Sequence, residues 1–504
     1  MKSIQIDGQS AQLLKGNVQF DQEGSTVYCD QAEYNPISEQ LKGNGNVRIV
    51  NTSGTIVTGK FLTYDNKTHE ARVDGDVVLV DQSMTLKTPW LKYNTQSRLG
   101  WYGSGGAITD KNTNLKSRSG SFNPTTHTLF FKRDVVLQTP DYSIQTDTLQ
   151  YNTESKTAYF FAYTQINTTD QMVVFQKGDY NTETKIGTFY HQVGYYAKDK
   201  TLFADTAWVN QNSKIGKARG NVWYIDSAEE MQFWAQAVNY EKEGVLSMAW
   251  GNPLAAQISK KDSFFVRADT FINRKDTVTK NQILWAINNS KFLKGTTSAN
   301  ANLMIYNSVD STLKLRKNPV IWDSSTRMSG DSITFKIKNK KLNEGSLFPK
   351  AFLCIKEDSN AFSQIQGDSI HFNLDSNQRI SESRVYRKGK SIYYLKEQDT
   401  LNSVFSVQCE NMKFQFADGR ISQVRFYVSP KGKLYPISEF PSGESKLNNF
   451  VWDEKNRPKT NDFTRPFVVK PAKIRYKSLQ PKATAPEKSK KKNKLPLFST
   501  DKRN

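Results

Sequence analysis

DTLQYNTESKTAYFF, residues Asp147 to Phe161, holds the unit from which the chain is built. Leu149 and Tyr151 alternate with polar neighbours, as on a half-buried strand. Asn152 to Lys156 are turn formers, and Thr157 to Phe160 are β formers again. A turn this short makes the flanking strands antiparallel neighbours.

Aromatic residues in the place of Tyr151 recur at Tyr34, Tyr64, Tyr93, Phe122 and Tyr180, in steps of 30 and then 29 residues. Asn follows each of them, except that Asp65 follows Tyr64. Seven places before the aromatic stand Val27, Val57, Leu86, Leu115, Ile144 and Val173. Five places before it the residue is small: Cys29, Gly59, Thr88, Ser117 and Thr146. Two places before it are Ala32, Leu62, Leu91 and Leu149. The register returns, with looser spacing, at Met328-Gly330-Ile333-Phe335, Ile365-Gly367-Ile370-Phe372 and Val407-Cys409-Met412-Phe414.

Side chains alternate faces along a strand, so places seven and five before the aromatic cannot share a face with places two and zero. A bulge or corner three to four places before the aromatic restores a common face. An acid often stands there: Asp30, Asp147, Asp205, Asp269, Asp331, Asp368 or Glu410. At a corner such an acid is expected to accept bonds from freed backbone N–H groups. One acid per rung at a fixed corner is a structural pattern rather than a catalytic one.

The return strands place Val47 with Ile49, Val77 with Leu79, Val135 with Leu137 and Val222 with Tyr224. The fold expected is all-β: an elongated antiparallel β-jelly-roll or trough of about 13 repeats of roughly 29–33 residues, with each strand folded over at its corner and one wet face per strand. Regular repeats are expected over residues 1–240 and less regular ones over 241–440. An extended Pro-containing segment follows over 441–476, and a disordered basic tail over 477–504.

Net charge is +21, and the last 34 residues, with eleven Lys or Arg against two acids, supply a large share of it. Such a balance suits an anionic partner. Cys29, Cys354 and Cys409 are too far apart for a metal or redox motif, and no catalytic motif, cofactor fingerprint or nucleic-acid module is present. Cys29 and Cys409 fill the small slot as core residues. His69 and His127 fall in the polar turns and are expected to be solvated. The stretch MKSIQIDGQS has no apolar signal core, so either a leader has been trimmed or the protein is cytosolic.

The serial combination of GNV-x-I, YCD-x-A-x-Y, DTLQYNTESKTAYFF and ADT resembles the OstA-like (LptA-like) proteins of Gram-negative bacteria, in particular the long forms of the Bacteroidetes, over roughly residues 10 to 440. The resemblance implies a periplasmic, non-enzymatic bridge that shields the acyl chains of lipopolysaccharide between inner and outer membrane. The implied partners are the lipid A part of lipopolysaccharide and other transport proteins, or further copies joined end to end by β-augmentation. The repeat register gives the expected groove lining as Val27, Tyr34, Val47, Ile49, Val57, Tyr64, Val77, Leu79, Leu86, Val135, Leu137 and Ile144. The alternative is a structural, adhesive or carbohydrate-binding β-repeat rod whose apolar stripe is a sealed core.

Overall fold

The computed structural model describes residues 2–6, 9–22, 24–241, 245–258, 263–276, 278–279, 281–338, 341–377, 379–398, 400–417, 420–467 and 474–476. The basic tail lies outside them. They divide into two compact units. One holds residues up to Gly216 together with 474–476, and the other holds residues 217–467. Apart from three short 3-10 turns, the regular structure described is all β-strand, and every strand pairing described is antiparallel. No helix among the described residues is long and apolar enough to cross a membrane.

Strands Ser25–Asn35, Gln40–Asn51, Ile56–Asp65, Glu70–Asp81 and Met84–Asn94 pair in chain order, two per repeat. The anchor position passes from Tyr180 through Val209, Tyr240, Asn273, Tyr306 and Phe335 to Phe372 and Phe414. The repeat outgrows the expected 29–33 residues near the end. It takes 37 residues from Phe335 to Phe372 and 42 from Phe372 to Phe414, because the strands themselves lengthen, up to the 18-residue pair Ile380–Glu397 and Thr400–Ala417.

Where a return strand runs on through the corner, two of its residues oppose one residue of an anchor strand; where it breaks, as at residues 161–163, three stand opposite two. Gly45 and Asn46 face Asp30, Arg133 and Asp134 face Asp147, His191 and Gln192 face Asp205, and Arg387 and Lys388 face Glu410. Both bulge residues are left-handed, with φ of +75° and +44° at Gly45 and Asn46, and +61° and +52° at Arg133 and Asp134. Left-handed backbone costs a non-glycine residue roughly 1–2 kcal/mol, so the bend is imposed by the packing of the two limbs it joins. At Gly45 a Cβ would come within 2.3 Å of Asp30 Oδ2, so any larger residue there would have to displace that carboxylate.

The corner acids do stand at the bend, but their partners differ from the expectation. The bulge lies on the opposing strand, so its side chains are what reach the carboxylate. Asn46 Nδ2 donates to Asp30 at 2.9 Å and Asn289 Nδ2 to Asp269 at 2.9 Å, while Lys350 lies 3.3 Å from Asp331. The acid's own N–H donates into the bulge, from Asp269 to Asn288 O and from Asp368 to Arg387 O, both at 3.0 Å.

The Asn after each anchor closes the turn in two directions. Asn152 Oδ1 accepts the N–H groups of Glu154 at 3.0 Å and Ser155 at 2.7 Å, and its Nδ2 donates to Thr126 O of the preceding turn at 3.1 Å. Asn181 repeats this with Glu183, Thr184 and Ser155 O. Asp65 keeps the first half only, accepting from Lys67 and Thr68, and the Thr68 N–H and the Gln40 side chain hold its carboxyl below the usual range. The fifth residue after the anchor is left-handed, as at His69 (+55°) and His127 (+51°). The next turn bonds to both, through Thr95 N–H to His69 O at 2.9 Å and Thr153 N–H to His127 O at 2.8 Å; His127 is exposed, but His69 is half-buried rather than solvated.

In the second unit the expected wet face is missing from one limb. The outward-facing residues Ser298, Trp322, Arg327, Cys354, Gln364 and Ile392 pair across successive strands and are all buried. Residues 437–467 cover them. Gln364 Nε2 donates to Ser445 O and its Oε1 accepts from Leu447 N–H, both at 2.8 Å. Phe362 meets Phe450 and Trp452, and Arg457 donates to Ser324 O and Thr296 O. Burial pushes the Cys354 thiol up to about 12.

Because Asn152 makes three bonds that alanine cannot, Asn152→Ala is expected to cost about 1–2 kcal/mol in denaturant unfolding, and Asn152→Asp, which loses only the Nδ2 donor, about half of that.

Candidate functional site

Folding each rung at its corner turns four positions of the repeat inward. Places seven and five before the anchor come from one limb, and places two and zero from the other. Val27, Cys29, Val47, Val77 and Leu86 of the first limb pack in one cluster with Ala32, Leu62, Val73, Leu91 and Tyr102 of the second.

The row at place seven is continuous. Phe20 pairs with Val27, Val27 with Ile49, Ile49 with Val57, Val57 with Leu79, Leu79 with Leu86, and Leu86 with Ile108. It goes on through Leu115, Leu137, Ile144, Ile166, Val173 and Tyr195 to Leu202. A β-sheet places such partners about 5 Å apart, so one hydrocarbon track crosses the strands with no polar gap.

Nearer the corner, Val47, Val77 and Val135 are opposed by Gly59, Thr88 and Thr146. The alternation follows from space. A Cβ on Gly59 would sit 2.4 Å from Val73 Cγ1 of the other limb. In the second limb the same rule sets Gly120 against Tyr102 and Phe131.

Exposure rises from the corner outward. Val47, Val77 and Val135 are at most 1% exposed, whereas Ile49, Leu79 and Leu137, two residues further on, are half-buried. On the facing rim Tyr34, Tyr93 and Phe122 are 36%, 40% and 42% exposed. The limbs of these rungs therefore diverge toward a mouth edged by aliphatic groups on one side and rings on the other.

The expected lining residues fall as follows. Val27, Ile49, Val57, Leu79, Leu86, Leu137 and Ile144 stand in the continuous row, and Val47, Val77 and Val135 lie at the corner beneath it. Tyr34 and Tyr64 belong to the facing limb, where Tyr64 is buried and Tyr34 is on the rim. The sequence reading placed Leu115 in the register but left it out of the lining, and it passed over Phe20, Ile108 and Ile166 in the row. Ile108 lies 29 residues after Leu79, so the period itself would have found it.

No ionisable carboxylate, amine or guanidinium belongs to these inward rows, and among the described residues no group of His, Cys, Asp and Glu is placed to hold a metal. Burial raises the thiol pKa of Cys29 and of Cys409, as suits core residues. The outward face carries the charge. Arg48 lies over Tyr28, Arg72 over Trp90 while forking onto Asp74, and Lys92 over Trp101.

A row of bent rungs with a mainly apolar interior and no charged group in its inward rows defines a β-jelly-roll with an apolar groove. Residues 1–147 and 143–205 match the family described as OstA-like protein. No curated protein matches the sequence. Among solved structures, LptH, the LptA homologous periplasmic component of the conserved lipopolysaccharide transport device from Pseudomonas aeruginosa, aligns at 14% identity over 29% of this chain and 80% of its own, with a TM-score of 0.15. The WD40 domain of SCAP from fission yeast aligns at 7% identity over 80% of this chain and 93% of its own, with a TM-score of 0.12. Neither superposition is close enough to bear on function.

Gly59→Val is expected to destabilise the first unit by roughly 1–3 kcal/mol through overpacking against Val73. Gly100→Ala, where an added Cβ would meet Tyr93 Cδ2 at a comfortable 3.7 Å, serves as control and should stay within about 0.5 kcal/mol. Thermal and urea unfolding check both.

Proposed function

We propose that the groove of the first unit shields the acyl chains of lipopolysaccharide, as a non-enzymatic periplasmic bridge between inner and outer membrane. The observation that carries this reading is the unbroken apolar row from Phe20 to Ile144, half-buried on its return strands, inside the OstA-like stretch. Hydrocarbon laid along it would gain roughly 0.8 kcal/mol per buried CH₂. Such contacts have no preferred direction, so a lipid is held and still slides. A groove without charged groups has nothing to do chemically to its occupant, so retention and passage are its work.

End strands offer the means of joining partners. Among the described residues Lys2–Ile6 pairs along one side, with Gln9–Gln22, and Lys431–Pro436 along one side, with Thr400–Ala417. Unpaired strand edges accept a further strand from a like chain or another transport protein.

The sealed-rod alternative has support in the second unit. There the place-seven row of Ile321, Met328, Leu353 and Ile365 and the anchors Phe335, Phe372 and Phe414 are all at most 5% exposed. Phe335 and Phe372 meet edge to face at 5.8 Å. Those rungs form a closed core.

A diazirine analogue of leucine placed at Leu79 should capture purified lipopolysaccharide on irradiation, and the same group at outward-facing Val78 should not. Equal labelling at both positions would remove the case for a lipid groove.

A further inference from the structure

The small residue five places before the anchor leaves room between the limbs, which at Ser117 a single ring of the other limb enters, the Tyr102 hydroxyl meeting Ser117 Oγ at 2.7 Å. Cys29, Gly59, Thr88, Ser117 and Thr146 hold that slot in turn, and on the next rung it holds Phe175. Phe175 is fully buried and reaches across to the other limb, 5.4 Å edge to face from Phe160 and 4.6 Å from Phe189. Gly178 makes room for this. A Cβ there would meet Phe189 Cδ1 at 3.0 Å and Phe175 Cε2 at 3.2 Å. The mouth changes at the same rungs. Of the row's anchor-strand members, Val27, Leu86, Leu115, Ile144, Val173 and Leu202 are all buried, but on the return strands the row is half-buried from Phe20 through Leu137 to Ile166 and then 2% exposed at Tyr195.

We infer that Phe160, Phe175 and Phe189 form an aromatic stop that closes the groove from within, so that a lipid chain is held between Phe20 and Ile144 and does not pass on along residues 173–209. This rests on the acyl-chain reading above and adds its limit. The open row crosses ten strands, nine spacings of about 4.8 Å or roughly 43 Å. Phe175 is the specificity-determining residue of the three, because its slot is otherwise small while Phe160 and Phe189 occupy positions where Phe131 and Leu149 are already large. Three rings packed on one another leave no path for a chain of methylenes, since cores of this kind hold few voids larger than a water molecule, whereas at the Ser117 rung Tyr102 is a single ring.

The test uses the full chain with the diazirine leucine analogue at Leu79, Leu137 or Leu202, three native leucines of the one row, irradiated with purified lipopolysaccharide. Capture is expected at Leu79 and Leu137, with at least a tenfold lower yield at Leu202. In Phe175→Thr, which installs the residue found at Thr146, the yield at Leu202 should rise to within about twofold of that at Leu137. Comparable capture at all three sites of the unmodified chain overturns the stop and leaves the lipid reading standing. Capture at none of them overturns the lipid reading and the stop with it. A Phe175→Thr chain that keeps its unfolding transition but still shows no capture at Leu202 overturns the role given to Phe175. Should that variant not fold, the three-site comparison in the unmodified chain decides alone.

Discussion

The described rungs turn a corner, and where the hydrogen-bond ladder runs on through it the two-residue left-handed bulge is the device that does so. A plain strand would put places seven and five before the anchor on one face and places two and zero on the other, leaving both faces half greasy. Two residues opposite one shift the phase between the limbs, and all four positions then meet inside. The backbone cost at Arg133, Asp134, His191 and Gln192, none of which is glycine, is offset by the apolar surface that the closed limbs remove from water. Exposed ion pairs at the corner, such as Lys60 with Asp76, whose carboxyl that lysine holds below its usual range, add little to this balance.

What the limbs do once folded depends on side-chain volume. Where a valine on the return strand faces Gly, Thr or Cys, the limbs spread toward the mouth and the outer aliphatic groups stay half wet. Where Phe175 takes the small slot, or where Phe335, Phe372 and Phe414 replace the tyrosines as anchors, the same backbone plan gives a dry core. One repeat therefore supports a groove or a solid core, and a few positions decide between them.

The segment of residues 437–467 adds a second kind of closure. Gln364 and Arg457 spend their polar groups on its backbone or that of the strands beside it, and its Phe450 and Trp452 pack against Phe362. Polar residues such as Ser298 and Arg327 are buried on what would otherwise be a solvent face. That face is more polar than the inner rows, since it is covered by chain carrying its own amides rather than by hydrocarbon.

Local rules written in neighbouring residues were legible from the sequence. The 29-residue step, the Asn-closed turn, the two parities and the corner before each anchor all came from repetition, because each rung repeats the same short-range chemistry. Seven of the proposed lining residues, Val27, Ile49, Val57, Leu79, Leu86, Leu137 and Ile144, fall in one cross-strand row for the same reason. Which strand carries the extra residue, how far Tyr34 stands out of the groove, and where Phe175 meets Phe160 and Phe189 were decided only by the folded structure. Those depend on the distance between limbs that are joined through a bend rather than along a strand, and periodicity in one dimension does not hold that distance.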